Sequence, residues 1–219
     1  MTVRLIAISK PVIAECADPG DLVAYCARVS NPSNQANTET APRLLAYLAR
    51  NRHWSPFEMA SMTLEITTTR DIARQILRHR SFSFQEFSQR YAAVQAPPVY
   101  REARMQDAKN RQASNETDDE RLQLWWREEQ RHLAQHASMI YDQALKRGIA
   151  KEVARSVLPE GLTESVLYMA GTVRSWIHYC ALRCEAGTQK EHRAIAEACR
   201  GILIEQFPAI EAAVVESMA

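Results

Sequence analysis

A stretch of thirteen residues, 78–90, concentrates side chains that can bind anions. It contains three arginines, one histidine, three serines and one glutamate, with phenylalanines between them. Arginine forks bind phosphate oxygens in pairs, and hydroxyl groups can fill the remaining acceptor positions. The residues also alternate from Ser81 onward, and successive side chains of an extended segment point to opposite faces. We therefore expect Glu86, Ser88 and Arg90 to line one side of a strand and to form part of a phosphate site.

The residues just before this stretch predict a helix over 71–79. Spacing of i, i+4 would place Arg70, Arg74 and Arg78 on one face of that helix. A helix that leads two arginines and a histidine into a serine-rich extended segment would form a cradle for a phosphate group. A basic surface helix followed by an edge strand fits the composition and the spacing equally well, so the residues alone leave both interpretations open.

Three separate motifs resemble those of the flavin-dependent thymidylate synthases. The order of Arg-His-Arg, Ser, Gln-Glu, Ser and Arg across 78–90 resembles the signature of this family, which most often has Asn at the position of Gln85. Residues 152–159 resemble its Glu-x-x-Arg-x-x-Leu-Pro motif, and residues 53–58 resemble its His-x-x-Pro-Phe-Glu segment.

Each motif also has a plainer interpretation. Glu152 and Arg155 would form an ordinary surface ion pair at i, i+3 on a helix, and residues 53–58 would be a loop with a proline stop. Ser88 could act as a nucleophile, but its own stretch holds no His–Asp partner to activate it, so phosphate binding is favoured. The motifs follow the order of the family, and the resemblance covers about residues 3–206, which favours the family interpretation.

The resemblance implies a specific reaction and a specific assembly. The reaction is the reductive methylation of dUMP to dTMP, in which 5,10-methylenetetrahydrofolate gives the carbon and NADPH reduces FAD. No cysteine nucleophile takes part. The implied fold is α+β, with a central mixed or antiparallel sheet and helical layers, and the implied assembly is a homotetramer whose active sites are shared between subunits.

The resemblance also implies two sets of site residues. The nucleotide set, which would bind dUMP with Ser88 and Arg90 at its phosphate, is Gln75, Ile76, Leu77, Arg78, Glu86, Phe87, Ser88, Gln89, Arg90, Arg155 and Arg183. The flavin set, which would bind FAD, is His53, Ser55, Arg78, His79, Arg80, Glu86, Thr172, Val173, Arg174 and His178. Arg183 is the implied catalytic residue, because a fixed cation can stabilise the charge that develops on the uracil ring. No metal site is expected.

The rest of the chain predicts alternating strands and helices that would position these residues. Strands are predicted over 3–8, 59–69 and 162–172, and the second of these is rich in Thr and alternates apolar with polar residues. Helices are predicted over 18–28, over 40–51 with Thr40 as the N-cap, from Arg174 to Cys184, and over 189–206.

A long helix is predicted to start at residues 117–120 and to end at Gly148. Thr117 and Glu120 have the spacing of a capping box. An apolar stripe along this helix, which should be core or subunit packing rather than a cofactor site, comprises Trp126, Leu133, Ala137, Ile140, Tyr141 and Ala144. Residues 105–116 contain almost no large apolar side chain and are expected to form a mobile loop.

Composition limits the class of protein. A chain of 219 residues suits a single domain, 1–219, and a net charge of +1 argues against general binding of polyanions. Six glycines without a Gly-rich fingerprint exclude a Rossmann-type flavin site. The absence of a long apolar run predicts no membrane span, and the N-terminal residues predict a strand rather than a signal peptide.

The cysteines indicate a reducing compartment. Five cysteines without paired spacing argue against a disulfide framework and fit a cytoplasmic protein. Cys180 and Cys184 lie one helical turn apart, near His178 and His192, but this spacing matches no standard zinc pattern. We expect free and mostly buried thiols.

Two alternative functions remain open at this point. A basic stretch over 70–101 with interspersed Phe and Tyr could bind RNA, although the order of motifs in two distant segments does not follow from RNA binding. A flavoprotein that has lost catalysis is disfavoured because Arg183 and Ser88 are both present. The preferred interpretation therefore includes no nucleic-acid partner.

Overall fold

The structure, a computed structural model, describes residues 1–211 of the chain. The strands are β1 (Thr2–Ile8), β2 (Ser61–Thr69), β3 (Ser83–Glu86), β4 (Arg104–Gln106), β5 (Ser114–Glu116) and β6 (Glu164–Thr172). The α-helices are α1 (Pro19–Ala27), α2 (Ala41–Arg50), α3 (Arg70–Ile76), α4 (Glu120–Lys146), α5 (Lys151–Ala154), α6 (Val173–Arg183) and α7 (Lys190–Gln206). Short 3₁₀ turns occur at Pro32–Asn34, Ser55–Glu58, Arg155–Val157 and Pro208–Ile210.

The strands form two sheets. One sheet has four strands in the order β1-β2-β6-β3. The other pairs β4 and β5 in antiparallel fashion, with Arg104 opposite Glu116 and Gln106 opposite Ser114. The predicted α+β fold class is confirmed.

The described residues form two compact units. The first unit contains Met1, Thr67–Arg78 and Gln85–Leu167, and the second contains Thr2–Ile66, His79–Phe84 and the chain from Tyr168 onward. A single domain over 1–219 stays a prediction.

Trp176 on α6 is a central core residue of the second unit. It is fully buried, its indole N–H donates to the Met62 carbonyl at 3.0 Å, and its ring centroid lies 4.8 Å from that of Phe82. The Phe82 ring also lies so close to Gly171 that a Cβ at this position would overlap it. Glycine is therefore required at 171, because any side chain would have to displace the aromatic ring.

The N-terminus of α2 differs from the sequence prediction. Thr40 occupies the N-cap position, but its side chain makes no capping hydrogen bond. Instead its hydroxyl accepts from the Arg28 guanidinium at 2.8 Å. A buried guanidinium needs acceptors, and Arg28 is 8% exposed, so this tertiary contact takes the hydroxyl that would otherwise cap the helix.

The predicted capping box of α4 is wrong. The N-cap residue is Asp119, whose carboxylate accepts from the backbone N–H groups of Arg121 and Leu122 at 3.0 Å each. Thr117 lies outside the helix, where its hydroxyl accepts from the Asp119 N–H at 3.3 Å. Asp and Thr are both good caps, and the chain uses the one nearer the helix.

Residues 105–116 form a β-hairpin and not the mobile loop that composition predicts. The Asp107 carboxylate organises the turn by accepting from the N–H groups of Lys109 and Asn110 at 2.8 and 2.7 Å. The Gln106 side chain donates to three backbone carbonyls, including that of Ala113 at 3.1 Å. Local side-chain hydrogen bonds thus order a segment that has little apolar surface to bury.

No helix within residues 1–211 is long and apolar enough to cross a membrane.

Candidate functional site

Glu86, at the end of β3, lies in a cluster of charges in the first unit. Its carboxylate is 3.3 Å from the Arg70 guanidinium and 3.8 Å from that of Arg74, and the Ser165 hydroxyl donates to it at 2.9 Å. The side chains of Arg70 and Glu86 are only 7% and 15% exposed. Because both charges are largely removed from water, their mutual contact and the serine hydroxyl must offset the loss of hydration. The sequence did not identify Ser165 as a partner of Glu86.

The strand ends at Glu86, so the predicted alignment of Glu86, Ser88 and Arg90 along one strand is wrong. The chain turns after Phe87, and the Ser88 carbonyl accepts from the N–H groups of Tyr91 and Ala92 at 3.0 Å each. These local hydrogen bonds replace the strand pairing that alternation alone would predict. The Ser88 and Arg90 side chains are nevertheless exposed, as a phosphate contact requires.

Gln89 is the unusual member of this turn. Its side chain is buried, at 3% exposure, and its amide Nε2 has no hydrogen-bond partner. A buried donor without an acceptor costs about 1–3 kcal/mol. Such a donor is a reasonable place for an oxygen of a bound ligand.

Arg90 forms an ion pair with a residue from a distant motif. Its Nε lies 3.2 Å from a Glu152 carboxylate oxygen, with both side chains more than half exposed. Arg155 donates only to the Glu152 backbone carbonyl, at 3.4 Å. The simple alternative of an ion pair between Glu152 and Arg155 is therefore wrong, and the Arg155 guanidinium has no carboxylate partner among the described residues.

The remaining nucleotide-set residues of the first unit surround the C-terminal end of α3. Ile76 is fully buried, whereas Gln75 and Leu77 are half-buried. The helix ends at Ile76, so Arg78 lies beyond it and does not share a helical face with Arg70 and Arg74 as predicted. Its side chain is exposed.

Arg183, the predicted catalytic residue, is half-buried in the second unit at the end of α6. Its Nε donates to Nε2 of His79 at 3.0 Å. Arginine cannot accept a hydrogen bond, so His79 must be neutral at Nε2 and carry its proton on Nδ1. Among residues 1–211, no carboxylate lies within ion-pair distance of Arg183. Its positive charge is therefore not neutralised by the protein around it.

Two buried residues that belong to neither predicted set of site residues lie next to His79. The Tyr179 ring meets that of His79 edge to face at 4.9 Å, and the Tyr179 hydroxyl lies 3.2 Å from Nε2 of His192. Burial, and then the positive charge of Arg183, lower the pKa of His192 to about 4. Burial raises the pKa of Tyr179. Both groups are therefore uncharged at neutral pH. Tyr179 lies four residues before Arg183 on the same helix, so helical spacing could have indicated that the two are neighbours. No local sequence signal indicates that His192 is near them.

Arg174 and His178 of the flavin set lie on the first turns of α6. Arg174 forms an ion pair with Glu58 of the 53–58 motif. The His178 ring lies 5.0 Å from the Trp54 ring, edge to face. Loss of hydration and then the Arg174 cation lower the pKa of His178, which favours the neutral imidazole. The 53–58 segment and the start of α6 are thus in direct contact.

Thr172 and Val173 determine where α6 begins. The Thr172 hydroxyl caps the helix by accepting from the Ser175 N–H at 3.3 Å. The Val173 side chain is fully buried, and its N–H donates to the Ala60 carbonyl at 2.9 Å. Both residues therefore have structural roles in the second unit, and their contact with a flavin stays a prediction.

The other flavin-set residues of the second unit are exposed. His53 packs its ring edge-on against Tyr47 at 6.1 Å, and Ser55 begins a 3₁₀ turn. Arg80 is exposed, like Arg78, and within the described part of the chain neither has a carboxylate at ion-pair distance. Two exposed and uncompensated guanidinium groups can take the anionic phosphates of a ligand.

The two predicted sets of site residues divide between the two compact units. Apart from Arg183, the nucleotide set lies in the first unit, and apart from Arg78 and Glu86, the flavin set lies in the second. All five cysteines have free thiols. No group of three or more His, Cys, Asp or Glu side chains within residues 1–211 could hold a metal ion.

Comparison with known proteins identifies the family. Residues 11–209 match the family of thymidylate synthase complementing proteins. The chain is 53% identical over 216 residues to the flavin-dependent thymidylate synthase of Synechocystis sp., a match that covers 97% of this chain and 99% of that one. The chain belongs to the flavin-dependent thymidylate synthase family.

Other members of the flavin-dependent thymidylate synthase family and one solved structure agree. A probable flavin-dependent thymidylate synthase of Paramecium bursaria Chlorella virus 1 is 52% identical over 210 residues, which cover 96% of this chain and 97% of the viral one. The UMP/dUMP methylase PolB from Streptomyces cacaoi, in a crystal structure with 5-Br dUMP, has a TM-score of 0.81 and 30% identity, covering 98% of this chain and 94% of PolB. Membership of the flavin-dependent thymidylate synthase family accounts for the order of the motifs, which RNA binding does not.

Proposed function

We propose that this protein catalyses the reductive methylation of dUMP to dTMP. The carbon comes from 5,10-methylenetetrahydrofolate, and the hydride comes from FAD that NADPH has reduced. Membership of the flavin-dependent thymidylate synthases supports the reaction class, and the dUMP analogue bound to PolB supports the substrate.

The observation that carries the catalytic assignment is the environment of Arg183. Its guanidinium is anchored through Nε to a neutral histidine at 3.0 Å, which leaves the two Nη groups and the full positive charge for a ligand. Negative charge that develops on the uracil ring can be stabilised by a fixed cation of this kind. A cation already neutralised by a carboxylate would do so less well, because its field would be largely cancelled.

The nucleotide set supplies the groups that dUMP needs. The nucleotide phosphate is a dianion, and the exposed Arg90 and the half-buried Arg155 provide guanidinium groups, with the Ser88 hydroxyl near Arg90 in sequence. The buried Nε2 of Gln89 lacks an acceptor, which an oxygen of the nucleotide would provide. Glu86 is held by two arginines and Ser165, so it can accept from donor groups of a ligand without moving.

The donor groups of the flavin set fit FAD. Arg78 and Arg80 are exposed and uncompensated, and the FAD pyrophosphate is an anion that such groups bind. His53, Ser55, His79 and His178 add ring and hydroxyl donors. When bound and reduced by NADPH, the flavin would supply the hydride. The chain itself would orient the cofactor and hold the proton of His79 on Nδ1.

Three of the buried thiols, those of Cys16, Cys180 and Cys199, are held in the protonated form, whereas the hydrogen bond from Cys180 lowers the pKa of Cys184. Burial raises the pKa of Cys16 and Cys199, and the neighbouring Cys184 together with burial raises that of Cys180. A thiolate, not a thiol, attacks a ring carbon. These three thiols are therefore poor nucleophiles, which is consistent with activation of the uracil ring by Arg183 instead.

The proposal includes the assembly and the compartment. A homotetramer with active sites shared between subunits is consistent with the division of the predicted residues into two sets in different units. Five free thiols are consistent with the reducing cytoplasm.

The test is a visible absorption spectrum of the purified protein, followed by anaerobic NADPH with and without dUMP. A flavin spectrum that bleaches at a rate sensitive to dUMP, and formation of dTMP only when methylenetetrahydrofolate is added, is the expected result. A colourless protein that also fails to take up added FAD would overturn the proposal. The basic stretch should then be tested for salt-sensitive retention of RNA.

A further inference from the structure

We propose that Tyr179 and His192 are positioning residues for the reaction, acting on Arg183 through His79. They would hold the His79 ring so that its Nε2 faces Nε of Arg183 and fixes the direction of the guanidinium. This inference rests on the proposed function of Arg183 and extends it to two buried residues that do not themselves contact substrate.

The first step of the argument is the need to fix an arginine side chain. A long side chain loses about 1.5–2 kcal/mol of rotamer freedom when it is ordered. A cation that stabilises charge on a reacting ring works best when its side chain is already ordered before the substrate binds. The hydrogen bond from Arg183 Nε to His79 Nε2, at 3.0 Å, meets that requirement.

The second step is that His79 must itself be held. Its Nε2 can accept from Arg183 only in the neutral tautomer with the proton on Nδ1. The other tautomer would set an N–H donor against the Arg183 N–H, and a flipped ring would place Cε1–H, which cannot accept, in the position of Nε2. The Tyr179 ring packs edge to face on His79 at 4.9 Å, and the His192 ring lies 6.3 Å away at 86°. Two aromatic rings on different helices therefore constrain the imidazole.

The third step links the two helices. Tyr179 lies on α6 and His192 on α7, and their side chains meet at 3.2 Å between the hydroxyl and Nε2. His192 is fully buried, and Tyr179 is 2% exposed. Since His192 is uncharged at neutral pH and Tyr179 keeps its proton, their contact is a neutral hydrogen bond in a dry environment, where loss of either partner is costly.

A purely structural role for the pair makes a different prediction. A buried tyrosine–histidine hydrogen bond that only joins two helices would affect the free energy of unfolding and leave turnover of the folded enzyme unchanged. A positioning role would mainly lower kcat and change KM for dUMP little, because the other members of the nucleotide set still bind the ground state.

The variants for the test are chosen to separate these roles. Tyr179→Phe keeps the ring and removes the hydroxyl, His192→Leu removes the polar partner, and His192→Gln keeps a polar group near the place of Nε2. Tyr141→Phe is the matched control, because Tyr141 is equally buried in the first unit and its hydroxyl accepts one hydrogen bond, from the Val94 N–H at 3.1 Å.

We expect Tyr179→Phe and His192→Leu to lower kcat for dTMP formation about tenfold to a hundredfold, with KM for dUMP within about twofold of wild type. His192→Gln should recover most of the loss, and Tyr141→Phe should match wild type. Wild-type kcat in Tyr179→Phe would overturn the proposal, as would an equal loss in Tyr141→Phe. If His192→Leu does not fold, Tyr179→Phe and His192→Gln decide.

A second readout does not depend on turnover. Heteronuclear NMR spectra of the histidine side chains report the tautomer of His79, which should be a single Nδ1–H form in wild type and in Tyr141→Phe. Exchange between tautomers in Tyr179→Phe is the expected result, and an unchanged His79 signal would overturn the proposal. If wild-type protein forms no dTMP, the proposed function fails, while this spectrum still decides whether the pair positions His79.

Discussion

The chemistry of single residues in this protein depends on which charges are compensated and which are not. Glu86 is surrounded by Arg70, Arg74 and Ser165, whereas Arg183 is hydrogen-bonded to a neutral histidine. A carboxylate held in this way is a fixed acceptor, and a cation held by a neutral group keeps its field for a ligand. The contrast supports a catalytic role for Arg183 and a binding role for Glu86.

Replacement of Arg183 tests that role directly. Arg183→Gln should lower kcat for dTMP formation roughly a hundredfold to a thousandfold, or about 3–4 kcal/mol, because one fixed electrostatic contact to the transition state is lost. Steady-state kinetics on the flavin-loaded enzyme measure the effect. Arg193→Gln on α7 removes the same charge from an arginine 3.9 Å from Glu197 and should leave kcat unchanged. Equal kinetics in the two variants would refute a catalytic role for Arg183.

Asp71 gives a prediction about pH and stability. Burial raises the pKa of Asp71, but hydrogen bonds from Arg101 and Thr69 outweigh it and lower the pKa below the ordinary value. Both Arg101 Nη groups donate to the carboxylate, at 2.7 and 2.8 Å. A lowered pKa in the folded state stabilises the fold above the unfolded pKa, near 4, and this contribution is lost as pH falls through the folded pKa.

Asp71→Asn should therefore lower the free energy of unfolding by about 2 kcal/mol at neutral pH. The difference from wild type should shrink as pH falls from about 4 through the lowered pKa of folded Asp71, because the unfolded chain and then the folded carboxyl take up a proton. Urea unfolding at a series of pH values measures this difference in the free energy of unfolding. Asp142→Asn, at an exposed position on α4, is the control and should show no such trend. A gap that is constant from neutral to acidic pH would contradict the assignment.

At the scale of elements, helix starts and strand ends were the least predictable features. The sequence predicted β1, β2 and β6 nearly to their ends, and along β2 alternation reports on the burial of alternate side chains. The same rule failed after Glu86, where backbone hydrogen bonds to the Ser88 carbonyl turn the chain. Competition between neighbouring polar side chains also moved the start of α4 from the predicted cap to Asp119.

The start of α4 can be tested by two alanine substitutions. Asp119→Ala should cost about 1 kcal/mol of stability, because it removes the acceptor for two N–H groups at the start of the helix. Thr117→Ala should cost less, since Thr117 accepts only from the Asp119 N–H. Thermal and denaturant unfolding measure the stability of the two variants against that of wild type. A larger loss for Thr117→Ala would restore the capping box that the sequence predicts.

At the scale of the whole molecule, the apolar stripe of α4 has two kinds of member. Ala137 and Tyr141 are buried, as core residues should be. Trp126, Leu133 and Ile140 remain 38%, 55% and 38% exposed in the single chain. Contiguous exposed apolar side chains on one helix are typical of a surface that another subunit covers, which supports the proposed homotetramer.

The assembly can be tested by its mass in solution. We expect wild-type protein to have four times the mass of the chain by size exclusion with light scattering. Leu133→Glu should yield smaller species, because a buried charge without a partner is costly at an apolar interface. Val12→Glu, at a side chain that is 98% exposed, is the control and should keep the wild-type mass. A monomeric wild type would exclude the tetramer.

The sequence by itself determined the features that depend on local spacing. The 78–90 stretch, the two further motifs and the main strands could be read from it, because each signal lies within a few turns or a few strand residues. The α+β class followed from the family resemblance that these motifs carry. The motifs, and not the geometry, also separated the binding residues into the nucleotide and flavin sets. Which residue of each set contacts which ligand stays a prediction.

Only the tertiary structure decided which side chains meet. Ser165 bonds Glu86 across 79 positions of sequence, Arg90 pairs with Glu152 across 62, and Arg183 bonds His79 across 104. The sequence indicated nearer partners in two cases: a Glu152–Arg155 pair as the plainer alternative, and a Thr117 cap as the prediction. A polar group that is buried must replace its hydrogen bonds to water, and it can do so only with a partner that the packing of helices and strands brings within about 3 Å. That packing depends on the whole chain.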